Sequence, residues 1–136
     1  MSPKVSILIP CYNSERFVAE TLDSCLAQTY RNIEIIVVDD GSTDNSFAIA
    51  KSFESNIIKV YRQDNSGACA ARNYAFRKSS GEYIVYLDAD DIINFSVPSI
   101  DGVKISRSDI LIRNKRPGVR RIHLVIFRQI NYGRIQ

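Results

Sequence analysis

Apolar and polar positions along the first ninety residues switch between two periods. Val5-Ser6-Ile7-Leu8-Ile9 is a short apolar run stopped by Pro10, the pattern of a strand buried in a parallel sheet. Phe17, Val18, Thr21, Leu22, Cys25 and Leu26 then follow helical spacing, with Asn13 or Ser14 placed to cap the helix. Ile33 to Val38 reads as a second strand, and Thr43 or Asp44 as the cap of a helix carrying Phe47, Ile49, Ala50 and Phe53. Ile57 to Tyr61 reads as a third strand, Asn65-Ser66-Gly67 as a turn, and the alanine-rich run from Ala68 to Lys78 as a third helix. Ser80-Gly81 ends that helix, and Tyr83 to Leu87 is a fourth strand.

This βαβ rhythm predicts an α/β fold: a parallel sheet with helices on both faces and right-handed crossovers. Ligands of such sheets sit beyond the carboxyl ends of the strands, near the point where strand order reverses. The polar clusters fall at those ends: Pro10-Cys11-Tyr12-Asn13, Asp39-Asp40, Asp64-Asn65 and Asp88-Ala89-Asp90-Asp91. Four parallel strands would also leave an edge without a partner, an expectation of self-association. After Ile92 the rhythm fails. Ile100 to Ile112 has no clean period, Arg113 to Arg121 reads as a basic loop around Pro117-Gly118, and His123 to Phe127 is one more candidate strand.

Composition narrows the class. At 136 residues, 45% hydrophobic and 24% charged, the chain is one ordinary domain with enough apolar residues for a packed core. No apolar run reaches the roughly 18–20 residues of a membrane-spanning helix, and the N-terminus lacks a signal-peptide pattern. The expectation is a soluble, intracellular protein. Cys11, Cys25 and Cys69 are an odd, widely spaced trio, read as reduced, half-buried thiols rather than a disulfide framework or zinc site. The net charge of +3 conceals a break: up to Phe95 there are 9 Lys/Arg against 13 Asp/Glu, and after it 9 against 2. Residues 1–95 and the basic stretch 96–136 are therefore two units of organisation.

Asp88-Ala89-Asp90 carries the sharpest chemistry. Two carboxylates at a strand end suit a hard cation such as magnesium or manganese, which can neutralise a departing diphosphate; aspartates also simply cap turns. One carboxylate of Asp39-Asp40 can accept from a base N–H or a ribose hydroxyl, while Gly41 permits a tight turn. Asn65 lies at the same edge, and Arg72 lies one to two helical turns into the third helix, a fixed cation within reach of the edge or a partner for a surface acid. Tyr12 suits stacking on a base or a place in the core. No Ser-His-Asp or Cys-His arrangement, phosphate-binding glycine loop or GxGxxG is present, and His123, the only histidine, reads as structural. The basic residues of the last third lack interleaved aromatics, which disfavours nucleic acid as a partner.

Taken in order, Val5-Ser6-Ile7-Leu8-Ile9-Pro10-Cys11-Tyr12-Asn13, Ile36-Val37-Val38-Asp39-Asp40-Gly41-Ser42-Thr43-Asp44, Asn65-Ser66-Gly67 with Ala71-Arg72-Asn73, Gly81-Glu82-Tyr83-Ile84 and Leu87-Asp88-Ala89-Asp90-Asp91 resemble the family-2 glycosyltransferases. The resemblance covers about residues 3–95. It implies the A-type fold, a Rossmann-like parallel sheet mixed at one edge. It also implies inverting transfer from a nucleoside-diphosphate sugar, usually UDP-linked, to a glycan, lipid-linked or other hydroxyl acceptor, with Mn2+ or Mg2+. Carried over by position, Pro10 and Tyr12 line the nucleotide pocket, Asp40 contacts the base, and Asn65 and Arg72 bind the donor. Asp88 would face the ribose or sugar and Asp90 would ligate the metal. A cytoplasmic location or one at the inner face of a membrane, peripheral membrane association and homo-oligomers are compatible with it.

The family continues past this point with an acceptor half and an acidic general base. Asp101 and Asp109 are the only acids after Asp91, in no recognisable context. The expectation is that residues 96–136 are truncated, frame-altered or divergent, with frame alteration or truncation favoured and transfer by the chain as given poor. The rival reading is a nucleotide-binding module without turnover. A receiver-like phosphoryl-transfer domain fits less well, because no suitable lysine follows a later strand.

Overall fold

The computed structural model describes residues 4–28, 30–95, 110–114 and 126–128. In chain order the elements are β1 (Val5–Cys11), α1 (Val18–Leu26), β2 (Ile33–Asp39), α2 (Ser46–Ser52), β3 (Ile58–Arg62), α3 (Ala68–Lys78), β4 (Tyr83–Tyr86), β5 (Asp91–Phe95), β6 (Ile110–Asn114) and β7 (Ile126–Arg128). The main sheet has the order β3-β2-β1-β4-β7, with the first four strands parallel and β7 antiparallel to β4. β5 and β6 form a separate antiparallel pair. Strand order therefore reverses between β1 and β4, which makes the crevice beyond their carboxyl ends the expected ligand position.

The alternation of each strand sorts the core into two layers. Ile7, Ile9, Cys11, Ile35 and Val37 face Val18, Leu22 and Cys25 of α1 and Ala50 of α2. Leu8, Ile36, Val38 and Ile84 face Ala71 and Ala75 of α3. The two alanines explain the low bulk of α3: small side chains bring its axis close to the sheet.

Pro10 does not end β1, which runs on to Cys11. Val5 donates toward the β2 side, to the Asn32 carbonyl at 3.0 Å, whereas the Leu8 carbonyl accepts from Leu87 at 2.9 Å on the β4 side. Pro10 shares the phase of Leu8, and the β4 ladder stops at Leu8↔Tyr86. Its missing N–H thus points where no strand needs it, the place in a sheet where proline is tolerated.

The helix starts also differ from expectation. α1 begins at Val18 with no side-chain cap; the Ser14 carbonyl accepts from Phe17 and Val18, both at 2.9 Å. Asn13 is engaged elsewhere, because its Oδ1 accepts from the backbone N–H of Thr43 at 2.9 Å. In α2 the residue at the cap position is Asn45, yet the acceptor for the first helical N–H is Asp44, whose Oδ1 takes the Ser46 N–H at 2.9 Å.

Of the two edges of the four parallel strands, one gains a strand and the other remains the outer edge of the sheet. β7 covers β4. At the outer edge of β3 the Ile58 N–H donates to Ser55 Oγ at 3.2 Å and the Val60 N–H to Glu54 Oε2 at 3.2 Å, so side chains occupy groups that another strand would seek. The basic loop expected at Arg113 to Arg121 is in part strand, since Arg113 and Asn114 belong to β6. Of the strand expected at His123 to Phe127, only Ile126–Arg128 is described. His123, Asp101, Asp109 and the remainder of 96–136 lie outside the described residues. The cysteines are free, but Cys11 and Cys25 are fully buried and Cys69 is exposed, rather than all half-buried. Among the described residues no helix is long and apolar enough to cross a membrane.

Candidate functional site

The loops after β1 and β2 are tied to each other by side chains. Asp39, with no solvent exposure, accepts from the Ser42 N–H at 2.9 Å and the Ser42 hydroxyl at 2.6 Å, and Arg62 Nε stands 3.4 Å away. Ser42 Oγ in turn accepts the Asn13 N–H at 3.0 Å. Asn13 has φ +46, a left-handed conformation that asparagine tolerates better than most residues. Beside it Tyr12 is 49% exposed, so the ring is a surface group at the crevice and not core. Burial pushes the neighbouring Cys11 thiol up to about 12, with the Asp39 charge adding to the effect. A thiol so raised is no nucleophile.

Asp40 organises the next loop. Its Oδ1 accepts from Gln63 Nε2 at 2.8 Å and the Ser66 N–H at 2.7 Å; its Oδ2 accepts from the Gly67 N–H at 3.0 Å and Asn65 Nδ2 at 3.3 Å. Asn65 Nδ2 also reaches the Asp40 carbonyl at 3.0 Å. Burial alone would raise this carboxyl, but the bonds from Gln63, Ser66 and Gly67 outweigh it and hold the group below the usual carboxylate range. Gly41 turns the chain here at φ +71, with its missing Cβ directed 2.8 Å from the Asn65 nitrogen. The Asp40 bonds fix the entry to α3, whose second turn carries Arg72.

Arg72 Nη2 lies 3.6 Å from Asp88 Oδ1, both side chains about two-fifths exposed. Asp88, Asp90 and Asp91 each direct one carboxylate oxygen into a group whose members lie within 4.8 Å of one another, and Asp90 and Asp91 are buried. The Asp91 N–H donates to the Asp88 carbonyl at 2.9 Å, closing a turn around Ala89 and Asp90. Three carboxylate oxygens gathered this closely are a donor set for a small hard cation, so the residues fit Mg2+ or Mn2+. Beneath Arg72, the Tyr86 phenol is raised by burial and pulled back by that guanidinium.

Of the residues picked from the sequence, the fold thus brings Arg72, Asp88 and Asp90 together, and separately joins Asp40 to Asn65. Pro10 and Tyr12 stand at the end of β1, next to the switch point. Three further residues join them. Asp91 adds a third carboxylate, and its place beside Asp90 was the available signal. Gln63 holds Asp40, and Thr21 of α1 donates to the Ala89 carbonyl at 2.8 Å; neither has a sequence signal, because both partners are remote along the chain.

Comparison with known proteins agrees with this arrangement. Residues 6–97 match the model of glycosyl transferase family 2. The glycosyltransferase GlyG of Streptococcus pneumoniae is 40% identical over 119 residues, which is 84% of this chain and 40% of GlyG. TarS 1-349 of S. aureus, solved in complex with UDP-GlcNAc, superposes with a TM-score of 0.64 at 28% identity over 77% of this chain and 37% of that fragment. The mannosyltransferase PcManGT of Pyrobaculum calidifontis, solved with GDP-Man and Mn2+, gives 0.62 at 29% identity, covering 68% of this chain and 29% of that one. The chain therefore spans well under half the length of these relatives. Strand order, strand-end carboxylates and these matches agree: the chain belongs to glycosyl transferase family 2 and carries its A-type fold.

Proposed function

We propose that this chain supplies the donor-binding part, residues 1–95, of a glycosyltransferase. In this reading a sugar passes from a nucleoside-diphosphate sugar, a UDP-sugar, to a hydroxyl acceptor with inversion and with help from Mn2+ or Mg2+. The observation that carries it is the group of Asp88, Asp90 and Asp91, at the strand-order switch point, with Arg72 against Asp88. Tyr12 and Pro10 line the nucleotide pocket, Tyr12 offering an exposed ring for stacking. Asp40 contacts the base while it also holds the turn. Asn65 and Arg72 bind the donor, Arg72 as the cation facing the diphosphate. Asp88 faces the ribose or sugar. Asp90 holds the metal, with Asp91 beside it. A bound divalent cation would supply charge neutralisation for the departing diphosphate.

Support for a uridine nucleotide comes from the TarS complex with UDP-GlcNAc, and for a metal from the PcManGT complex with Mn2+. The acceptor is a glycan, lipid-linked or other hydroxyl compound, and the place of action the cytoplasm or the inner face of a membrane. The general base belongs to an acceptor half that the described residues do not assign. Titration calorimetry with UDP tests the reading: binding is expected with Mn2+ and is expected to collapse with chelator. Equal binding in both would sink the metal role of Asp90. A parallel transfer assay with labelled UDP-sugars separates a catalytic chain from one that only binds.

A further inference from the structure

The turn that presents the aspartates is held from outside by one residue of the first helix. Ala89 sits at the apex of the Asp88–Asp91 turn and is only 4% exposed. A carbonyl in the middle of such a turn has no ladder partner, and burial removes the chance of replacing one with bulk water. Thr21, fully buried in the middle of α1, donates its hydroxyl to that carbonyl at 2.8 Å. The rest of the buried stripe of α1, Val18, Leu22 and Cys25, is packed into the core, so the helix is a rigid support.

We propose that Thr21 is a positioning residue for the carboxylate turn: by fixing the Ala89 carbonyl it sets how Asp88 and Asp90 direct their oxygens at a divalent cation. The inference rests on the reading of Asp88, Asp90 and Asp91 as a cation site. The physical link is short. The Ala89 carbonyl lies in the peptide plane that leads into Asp90, and that plane is stiff, so fixing the oxygen fixes the direction from which the Asp90 side chain departs. Carboxylates held within 4.8 Å repel one another before a cation arrives. A tether that keeps the turn closed against this repulsion spares the cation the work of closing it. Groups that orient ligands in this way typically alter metal affinity by about 10-fold or more when removed.

The test is Mn2+ binding to the full chain, followed by electron paramagnetic resonance, for wild type, Thr21→Val, Thr21→Ala and Thr21→Ser. Valine keeps the shape and loses the donor, alanine loses both, and serine keeps the donor. Roughly 10-fold weaker Mn2+ binding is expected for valine and alanine, with serine restored to near the wild-type value. Thermal melts without metal run alongside, to establish that all four proteins are folded. Wild-type Mn2+ affinity in a folded Thr21→Val or Thr21→Ala chain would overturn the proposal while leaving the cation site standing. Absence of Mn2+ binding in the wild type would overturn both.

Discussion

Asp39-Asp40 and Asp88-Ala89-Asp90-Asp91 occupy equivalent places, each at the carboxyl end of a central parallel strand, yet their surroundings differ. After β2, donors converge on the carboxylates: Ser42 and Arg62 on Asp39; Gln63, Asn65, Ser66 and Gly67 on Asp40. After β4, oxygens of Asp88, Asp90 and Asp91 gather within 4.8 Å of one another, and Arg72 stands against Asp88. Acids whose oxygens are met by backbone N–H groups stiffen a loop. Acids pressed together form a negative site that a cation relieves. The same residue type at the same position of a βαβ unit therefore ties loops together in one case and gathers carboxylate oxygens in the other.

The sharpest way to break this contrast is to neutralise one acid in each group. Asp90→Asn is expected to weaken Mn2+-supported UDP binding by about 10-fold or more, since an amide is a poor ligand for a hard cation. Asp39→Asn should leave that binding within about 2-fold and instead reduce stability by about 1–3 kcal/mol in urea titration, through imperfectly satisfied buried groups. Equal effects of the two on binding would erase the distinction. Next in size, Gly41→Ala should cost about 1–3 kcal/mol, because it combines a left-handed φ of +71 with a Cβ 2.8 Å from the Asn65 nitrogen. An unchanged denaturation midpoint would show that the turn can open without loss.

A smaller effect separates the groups by pH. Asp40 is held below its ordinary value of 3.8, because the bonds from Gln63, Ser66 and Gly67 exceed the upward push of burial. A folded value below the unfolded one means stability that is fully present above the ordinary value and lost as pH falls through the folded one. Acid unfolding of Asp40→Asn should accordingly show a flatter dependence on pH below about 4 than wild type. An identical acid profile would remove Asp40 from the account. Smallest of all, Arg72→Gln should change stability by under about 1 kcal/mol, since its ion pair with Asp88 is half-exposed and screened. The same variant should weaken UDP binding, measured by calorimetry. A large loss of stability would mean that Arg72 belongs to the scaffold.

How far the sequence was legible follows the range of the interactions. The sequence predicts α3 from Ala68 to Lys78 and the structure has it there, because helix propensity and the Asn65-Ser66-Gly67 turn are local. Pro10 reads as a strand end in the sequence but lies inside β1, because proline's cost depends on which neighbour its nitrogen faces, and that is a property of the sheet. The cap expected from Asn13 failed for a related reason: its side chain bonds Thr43, thirty residues away. β6 was hidden in a stretch whose charged residues mask any period, and only its pairing with β5 makes it a strand.

By itself the sequence determined the alternation of strands and helices, the strand ends at which the polar clusters lie, and the family likeness of residues 3–95. Each rests on side-chain period and composition, which are local and survive in one dimension. The tertiary structure alone decided that β1 and β4 are neighbours, so that strand order reverses beside Asp88 and Asp90. It also decided that Asp39 and Asp40 are met by donors from distant loops, and that α1 holds the turn of Asp88 to Asp91 through Thr21. These are contacts between residues far apart along the chain, set by packing two layers of helices against one twisted sheet, and no local pattern encodes them.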